Sequence, residues 1–303
     1  MDARQAFQQA EQRVFEEYGL SPTPRFLELH DPALRTRVLE SGEGPPLLFV
    51  HGGGGFASQW SPLMAKLPGW RALAVDRPGC GLTQAFDYRG TDLRRHSIAF
   101  LGSLLDALEI ERLPIVANSM GALWSLFFAL EHPDRVSSLA LLGCPALFPG
   151  TGAPLWLRMF SVRPLRRRAM RLRTPGAAGL RQLFSRVLGE EAAAAMTQAE
   201  MESMALSQLI PGASESFGTL IERVVRPWGR RRGAEISRDE LRRVSAPTLL
   251  VWGRDDPFGS LAAARRGAAL LPRGTLEVVE GGHQPWSGRP ERCAALVSEF
   301  LGA

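Results

Sequence analysis

The sequence of 303 residues predicts an α/β protein with a mostly parallel, eight-stranded sheet flanked by helices. Three observations indicate this class. Short apolar runs alternate along the chain with longer stretches whose apolar residues recur at helical spacing. Most of these runs end in a polar or glycine-rich loop. A helical segment at about 146–238 interrupts the alternation, which resumes afterwards.

The first elements are a helix and an antiparallel strand pair. The charged N-terminal stretch carries one apolar stripe, which predicts an amphipathic helix rather than a signal peptide. The stripe holds Phe7, Ala10, Val14 and Tyr18. Residues 25–30 and 35–40 then alternate between polar and apolar side chains, with Asp31-Pro32 as turn chemistry between them.

Six short, largely apolar runs predict the strands of a parallel sheet. They are residues 47–50, 72–75, 115–117, 139–142, 248–252 and 276–279. Helical stripes lie between or after them, near 98–108, 260–271 and 290–301. Parallel strands joined by right-handed crossovers place helices on both faces of the sheet.

The interruption after the sixth strand predicts an inserted cap. Residues 146–238 contain no convincing strand, and prolines divide them into short helical pieces. Arginines crowd the first part of this stretch: Arg158, Arg163, Arg166, Arg167, Arg168, Arg171 and Arg173. We therefore expect a core of residues 1–145 and 239–303, with a helical cap of residues 146–238 over the carboxyl edge of the sheet.

The formal net charge of +5 is almost entirely due to arginine, since Lys66 is the only lysine. High alanine, glycine and proline content accompanies it, so we attribute the charge to coding bias. The alternative is binding to nucleic acid or a membrane surface, but we identify no recognition helix or interleaved aromatic and basic motif. No apolar stretch reaches 18 residues, so no membrane span is predicted. We expect a small-molecule substrate, no nucleic-acid partner, and a monomer or homodimer.

The three cysteines, Cys80, Cys144 and Cys293, are odd in number and widely spaced. This pattern argues against a disulfide framework and against a zinc site. We predict buried thiols, no metal or cofactor, and a cytoplasmic location.

The stretch Ala117-Asn118-Ser119-Met120-Gly121 predicts a nucleophile elbow. It joins an apolar strand to a helix-favouring run, and small residues stand two positions before and two after the serine. Such a turn is strained and brings strand and helix close together, which requires small neighbours. Ser119 is therefore the candidate nucleophile.

A serine hydroxyl needs a base, and the base needs an orienting acid. The chain has five histidines, His30, His51, His96, His132 and His283, of which only His283 lies in a glycine-containing loop after the last strand. The loop after the preceding strand holds Asp255 and Asp256. We predict Asp256 as the acid because it lies deeper in the loop, and Asp255 as a turn cap before proline.

The oxyanion hole needs backbone N–H donors. The N–H of Met120, next to the candidate nucleophile, is one. The glycine run after His51 offers the other, with Gly53 as first choice and Gly54 as second. A phosphate-binding role for this run is disfavoured because no Gly-Lys-Ser/Thr follows and the nucleotide fingerprint spacing is absent.

These motifs resemble the α/β-hydrolase superfamily over residues 25–301. The landmarks are HGGGG (51–55), DRPGCGLT (76–83), ANSMGA (117–122), EHPDRVSSLALL (131–142), WGRDDPF (252–258) and GGH (281–283). The resemblance implies an α/β-hydrolase fold, a triad in the order Ser119, Asp256, His283, and a cap that shapes the substrate pocket. Ala117 replaces the usual first glycine of the elbow.

Serine at the elbow argues against haloalkane dehalogenases and epoxide hydrolases, which place aspartate there. The predicted function is hydrolysis of a carboxylic ester or related acyl bond of a small, largely apolar substrate. The motif Asn118-Ser119-Met120-Gly121, together with the glycine run after His51, resembles the carbon–carbon hydrolases of meta-cleavage products, whose cap carries a substrate-binding arginine. That family usually has tryptophan directly after the catalytic histidine, where this chain has Gln284. A non-catalytic, ligand-binding member of the fold is the third alternative. The predicted pocket residues are Asn118, Trp60, Trp124 and Trp286.

Overall fold

The computed structural model describes residues 2–172, 177–231 and 233–302. Within them, eight strands form one sheet in the order β1-β2-β4-β3-β5-β6-β9-β10. The strands are β1 (Thr23–His30), β2 (Ala33–Ser41), β3 (Pro46–Val50), β4 (Arg71–Val75), β5 (Leu113–Ala117), β6 (Val136–Leu142), β9 (Thr248–Gly253) and β10 (Gly274–Val279). Strand β2 runs antiparallel to β1 and β4, and the remaining pairs are parallel. The predicted fold class is confirmed.

Fourteen helices surround this sheet in the described part of the chain. They are α1 (Ala3–Glu17), α2 (Ser61–Met64), α3 (Leu93–Ala107), α4 (Ser119–Glu131), α5 (Leu155–Phe160), α6 (Arg163–Leu172), α7 (Ala177–Leu188), α8 (Glu190–Ala195), α9 (Gln198–Ser207), α10 (Ala213–Val224), α11 (Arg238–Leu241), α12 (Leu261–Ala268), α13 (Pro285–Gly288) and α14 (Pro290–Leu301). None of the described helices is long and apolar enough to cross a membrane.

Side chains alternate across the strands and build a separate core on each face of the sheet. Leu48 and Val50 of β3 pack in the cluster that contains residues of α3, α4 and α12. Leu47 and Phe49 pack in the cluster that contains residues of α2 and α14. The helices therefore cover both faces, as the apolar strand pattern predicts.

Six helices, α5 to α10, lie in the stretch expected to form the cap, and α11 begins at its last residue. The expectation of no strand there is wrong in one place: β7 (Val225–Arg226) and β8 (Gly229–Arg230) form a short antiparallel pair. Two residues per strand are too few to show an alternating pattern, and Pro227-Trp228 supply the turn. Arg173 lies outside the described residues, and the domain boundaries at 145 and 238 remain a prediction.

A buried charge network attaches helix α1 to the core. The guanidinium of Arg37 donates two hydrogen bonds to Glu11, at 2.7 and 2.8 Å, and one to Asp76 at 2.7 Å. All three side chains are at most 2% exposed. Asp76 also accepts the backbone N–H groups of Ala57 and Leu82. The network therefore fixes the loop that follows β4, beside the glycine run after β3.

Candidate active site

Ser119 is on a strained turn between β5 and α4. Its φ of 51° lies in the left-handed region, which is uncommon for a residue with a side chain. The start of α4 passes very close to the end of the neighbouring strand β3, because a Cβ at Gly121 would lie 2.2 Å from the carbonyl oxygen of Val50. The predicted elbow geometry is present, with Ser119 half-buried at the carboxyl edge of the sheet.

Asp256 and His283 form a hydrogen-bonded pair. His283 Nδ1 lies 2.9 Å from Asp256 Oδ2, and both residues are buried. The carboxylate also accepts the backbone N–H of Cys144 at 2.8 Å and that of Phe258 at 2.9 Å. Three donors therefore fix the acid, and a carboxylate at Nδ1 leaves Nε2 of the imidazole as the atom that can accept a proton. Asp255 is exposed and does not share this position.

The loop that carries His283 is tied down on two sides. On the core side, the Asn118 amide donates to the carbonyl oxygens of His283, at 3.0 Å, and Leu142, at 2.6 Å. On the other side, the N–H groups of Gly282 and His283 donate to the carbonyls of Leu188, at 2.8 Å, and Val187, at 3.0 Å. The last turn of α7 therefore contacts the loop that carries the candidate base. The residue that precedes Ser119 contacts that loop as well.

The glycine run after β3 lies against the elbow, since a Cβ at Gly52 would lie 3.1 Å from Ser119 Cβ. The N–H of Gly55 bonds the carbonyl of Gly52. Gly54 has a φ of 70°, and burial raises the pKa of the neighbouring Cys80 thiol to about 11. Gly53 is exposed, whereas Gly54 is only partly exposed. This arrangement favours Gly53 over Gly54 as the partner of Met120 in an oxyanion hole.

Arg77 holds the start of this glycine loop, a role that sequence reasoning missed. Its Nε donates to the carbonyl of His51 at 2.9 Å and its Nη2 to that of Gly52 at 2.6 Å. Its own N–H donates to Nε2 of His51 at 3.0 Å. The side chain has no exposed surface, and its guanidinium lies 4.7 Å from the centroid of the Trp124 ring. Its position directly after Asp76 in the DRPG landmark was the available signal.

We predict that Arg77→Met lowers kcat on an activated ester by about 10- to 100-fold and leaves KM within about threefold. The reason is that two carbonyls lose their clamp and Gly53 loses its fixed direction, and one oxyanion donor is worth roughly that much or more. Steady-state kinetics measure it. Arg135→Met is the matched control, because Arg135 also donates to two carbonyls, those of Ile110 and Glu111. Unchanged kcat in Arg77→Met would contradict the assignment.

An aromatic wall faces the glycine loop and the candidate base. The ring of Phe258 lies 4.2 Å from that of His283, and the ring of Trp156 lies 6.5 Å from Phe258. Phe217 of α10 would contact a Cβ built on Gly53 or Gly54 at 3.3–3.4 Å, and Phe160 of α5 lies 5.6 Å from Phe217. These rings come from the insertion and the acid loop, where periodicity carried no information about the site.

The expected pocket residues occupy other places. Trp60 and Trp286 stack on each other at 4.2 Å in the core on the α14 side, and Trp124 packs beneath the site against Arg77. Each is at most 1% exposed, so none offers an accessible wall. Asn118 is also buried and uses its amide on backbone carbonyls. The expectation that these four residues line a pocket is therefore corrected. Their side chains point into tightly packed parts of the protein, so they offer a substrate no accessible surface.

The arginines of the insertion divide into one buried side chain and several exposed ones. Arg166 is 1% exposed and donates to Glu222 at 2.7 Å, with Glu215 at 3.8 Å. Arg163, Arg167 and Arg168 are exposed. The side chain of Arg171 lies outside what the structure describes. The buried cation is therefore matched by carboxylates of the insertion itself.

Two histidines near the site are buried and held neutral. Burial and the charge of Arg77 lower the pKa of His51 well below its usual range, and lower that of His96 to about 4. His96 packs among Phe86, Tyr88 and Trp124, and its Nε2 has no hydrogen-bond partner in the described structure. His96 lies in the first turn of α3 and is buried there.

We predict that His96→Phe reduces the loss of stability in acid. In the unfolded chain His96 is protonated below about pH 6.5, whereas in the folded protein it stays neutral down to about pH 4. The free energy of unfolding therefore falls as the pH drops from about 6.5 to about 4. At pH 5 this costs the wild type about 2 kcal/mol relative to pH 7.5. Urea unfolding at the two pH values measures it, with His132→Phe as the exposed control. An equal acid loss in His96→Phe and wild type would contradict it.

Comparison with known proteins places this site in a family. A family model for the alpha/beta hydrolase fold matches residues 45–285, which contain the elbow, the acid loop and His283. The chain belongs to the α/β-hydrolase fold family. Its enzymatic class is therefore a hydrolase, as the motifs predict.

Relatives of this α/β-hydrolase include carbon–carbon hydrolases. The 2-hydroxy-6-oxononadienedioate/2-hydroxy-6-oxononatrienedioate hydrolase of Cupriavidus pinatubonensis is 27% identical, over 92% of this chain and 96% of the relative. The 2-hydroxymuconate semialdehyde hydrolase of Pseudomonas sp. (strain CF600) is also 27% identical, over 90% and 93%.

Solved structures with the same fold include both chemistries. Carboxylesterase CesB from Bacillus subtilis superposes with a TM-score of 0.78 at 19% identity, over 99% of both chains. A meta-cleavage product hydrolase from Pseudomonas fluorescens IP01 superposes with a TM-score of 0.73 at 23% identity, over 92% of this chain and 97% of the other. At these identities the likeness shows the fold alone.

Among residues 2–172, 177–231 and 233–302, no group of three or more His, Cys, Asp or Glu side chains is placed to hold a metal ion.

Proposed function

We propose that this α/β-hydrolase cleaves a carboxylic ester, or a related acyl bond, of a small and largely apolar substrate through Ser119. The observation that carries the proposal is the buried Asp256–His283 pair, 2.9 Å apart, whose histidine loop is hydrogen-bonded to Asn118, the residue before the serine on a strained turn. Nucleophilic attack by a neutral serine needs this kind of oriented base.

The proposed reaction has two halves. Ser119 Oγ attacks the carbonyl carbon while His283 Nε2 takes its proton, and the N–H groups of Gly53 and Met120 stabilise the oxyanion. His283 then gives the proton to the leaving alcohol, and an acyl-enzyme remains. Water, deprotonated by His283, attacks that acyl group and releases the acid and free Ser119. Asp256 remains ionised throughout and stabilises the imidazolium.

The surroundings of the site favour an apolar acyl group. The wall facing the glycine loop and His283 is aromatic, with Phe160, Phe217 and Phe258 as its nearest rings. The buried arginine of the insertion, Arg166, is already paired with Glu222. An anionic substrate would have to compete with that carboxylate, whereas an apolar acyl chain gains from burial against the rings.

The second candidate is carbon–carbon bond hydrolysis of the meta-cleavage-product type. The relatives at 27% identity favour it. They align with at least nine-tenths of this chain, and they are named as hydrolases of meta-cleavage-type substrates. The same serine, base and oxyanion donors suit it, since the bond that breaks is again next to a carbonyl.

Two assays separate these candidates. On purified protein we expect hydrolysis of p-nitrophenyl butyrate, and no bleaching of a coloured 2-hydroxy-6-oxo-dienoate measured under the same conditions. The kcat/KM for the ester should exceed that for the dienoate by at least about 100-fold. Bleaching of the dienoate at the higher kcat/KM would replace the ester proposal by the carbon–carbon one.

A further inference from the structure

The insertion presents a group of exposed apolar side chains to solvent. Trp228, in the turn between β7 and β8, is 76% exposed, and Leu155 of α5 is 65% exposed. Trp156, Met159 and Leu165 are between 40% and 44% exposed. A group of large apolar side chains that is exposed on the surface of a folded protein often marks an interaction site. We call these five residues the α5–hairpin surface.

Helix α5 and the hairpin are directly joined. Arg158 Nε donates to the carbonyl of Pro227 at 2.8 Å, which fixes the turn that carries Trp228 beside α5. Leu155 and Trp156 precede Met159 by four and three residues, so the three share one face of the helix. Leu157, between them, is buried and anchors the opposite face. The exposed side chains are thus held outward by packing beneath them.

This surface is basic. Arg163, Arg167, Arg168 and Arg230 are exposed on these elements, and neither residues 155–168 nor residues 225–231 contain an acidic residue. Glu215 of α10 lies 3.8 Å from Arg163, and Arg166 is buried and paired with Glu222, so Arg166 adds no charge to the surface. Burial, followed by the charges of Arg226 and Arg223, lowers the pKa of Arg231, and Glu222 opposes that shift. Trp228 stands between Arg226 and Arg230 in the hairpin.

The surface is also continuous with the active site. The ring of Trp156 lies 6.5 Å from that of Phe258, and Phe258 lies 4.2 Å from the imidazole of His283. A chain of three rings therefore connects solvent-exposed α5 to the candidate base.

We propose that the α5–hairpin surface docks this hydrolase on an anionic lipid membrane surface. Tryptophan and aliphatic side chains insert at the boundary between headgroups and acyl chains, and the surrounding arginines pair with anionic headgroups. Charge complementarity distinguishes this occupant from a second copy of the chain, because two such basic faces repel each other. The docking goes beyond the proposed reaction and does not depend on it.

The test is vesicle co-sedimentation in the Ser119→Ala background, so that no lipid or ester chemistry occurs and failure of the docking is separate from failure of the proposed function. We expect binding to vesicles of phosphatidylglycerol and phosphatidylcholine at equal parts, at least tenfold weaker binding to phosphatidylcholine alone, and weakening by salt. The double substitution Leu155→Ser/Trp228→Ser should weaken anionic-vesicle binding by at least tenfold. Arg167→Gln/Arg230→Gln should weaken it several-fold and flatten its salt dependence.

Phe26→Ser is the matched control. Phe26 is on the edge strand β1, is 39% exposed, and packs under the guanidinium of Arg35 from β2. It lies outside the insertion, so its loss should change vesicle binding by less than twofold. With Ser119 restored, turnover of monomeric p-nitrophenyl butyrate by Trp228→Ser should equal that of wild type. The proposal is overturned if the protein does not bind anionic vesicles, or if Phe26→Ser weakens binding as much as the double substitution. A dimer that Trp228→Ser dissociates in solution would also overturn it, and would assign the surface to a second copy of the chain.

Discussion

Replacing Ser119 by alanine abolishes labelling by a fluorophosphonate probe and lowers kcat on p-nitrophenyl butyrate by roughly 10⁴-fold or more. The hydroxyl is the only group removed, and without it neither the probe nor an acyl group has a point of attachment. The Asp256–His283 pair and the oxyanion donors remain, so some rate above that of water survives. Probe labelling followed by intact-protein mass, together with ester kinetics, measures both effects.

Ser125→Ala is the control for this experiment. Ser125 is on the same helix, α4, and its hydroxyl donates to the carbonyl of Gly121 at 2.9 Å, so its substitution removes an equivalent atom away from the chemistry. It should label and turn over like wild type. Equal labelling of Ser119→Ala and wild type would refute the assignment of the nucleophile. Failure of wild type itself to label would favour the non-catalytic, ligand-binding alternative.

Asp256→Asn should lower kcat/KM by about 10⁴-fold, whereas Asp255→Asn should change it by less than about threefold. The carboxylate of Asp256 accepts from His283 and from the N–H groups of Cys144 and Phe258. Asparagine brings an NH₂ group into a position surrounded by donors, which favours the wrong imidazole tautomer and leaves the imidazolium unstabilised. Steady-state kinetics on the same ester at pH 7.5 measure the effect.

Asp255→Asn is the matched control for Asp256→Asn, because the two aspartates are adjacent in sequence and only Asp255 is exposed. Asp255 donates its N–H to the carbonyl of Gly281, a bond that asparagine preserves. A large loss in Asp255→Asn with a small one in Asp256→Asn would transfer the role of acid to Asp255.

Much of this architecture could be predicted from local patterns. Apolar runs buried on both faces specify the central strands, and the loops that follow them meet at one edge of the sheet. Ser119, Asp256 and His283 could therefore be grouped from the order of strands and loops along the chain. The preference for Asp256 over Asp255 is supported by the hydrogen bond to His283, although the catalytic roles remain a proposal.

The pocket could not be predicted in the same way. Burial pattern tells which face of an element is apolar, but does not distinguish a core tryptophan such as Trp60 from a ring at a cavity such as Phe258. That distinction depends on long-range packing between the insertion and the core. Arg77 was missed for a related reason. A charged side chain in a loop is normally exposed to solvent, so its place in a loop did not indicate that it is buried and donates to backbone carbonyls.

The two backbone hydrogen bonds from Gly282 and His283 to the end of α7 would couple any displacement of α7 to the position of the candidate base. Any swing that carries α7 away from the core must either break both bonds or pull the imidazole away from its carboxylate. An open state reached that way would be inactive. The return of α7 would restore the position of His283 and cover the site again. Amide exchange at these two positions would then report the frequency of opening directly. Passage of substrate along α5, which makes no such bond to the histidine loop in the described structure, would leave the active state intact.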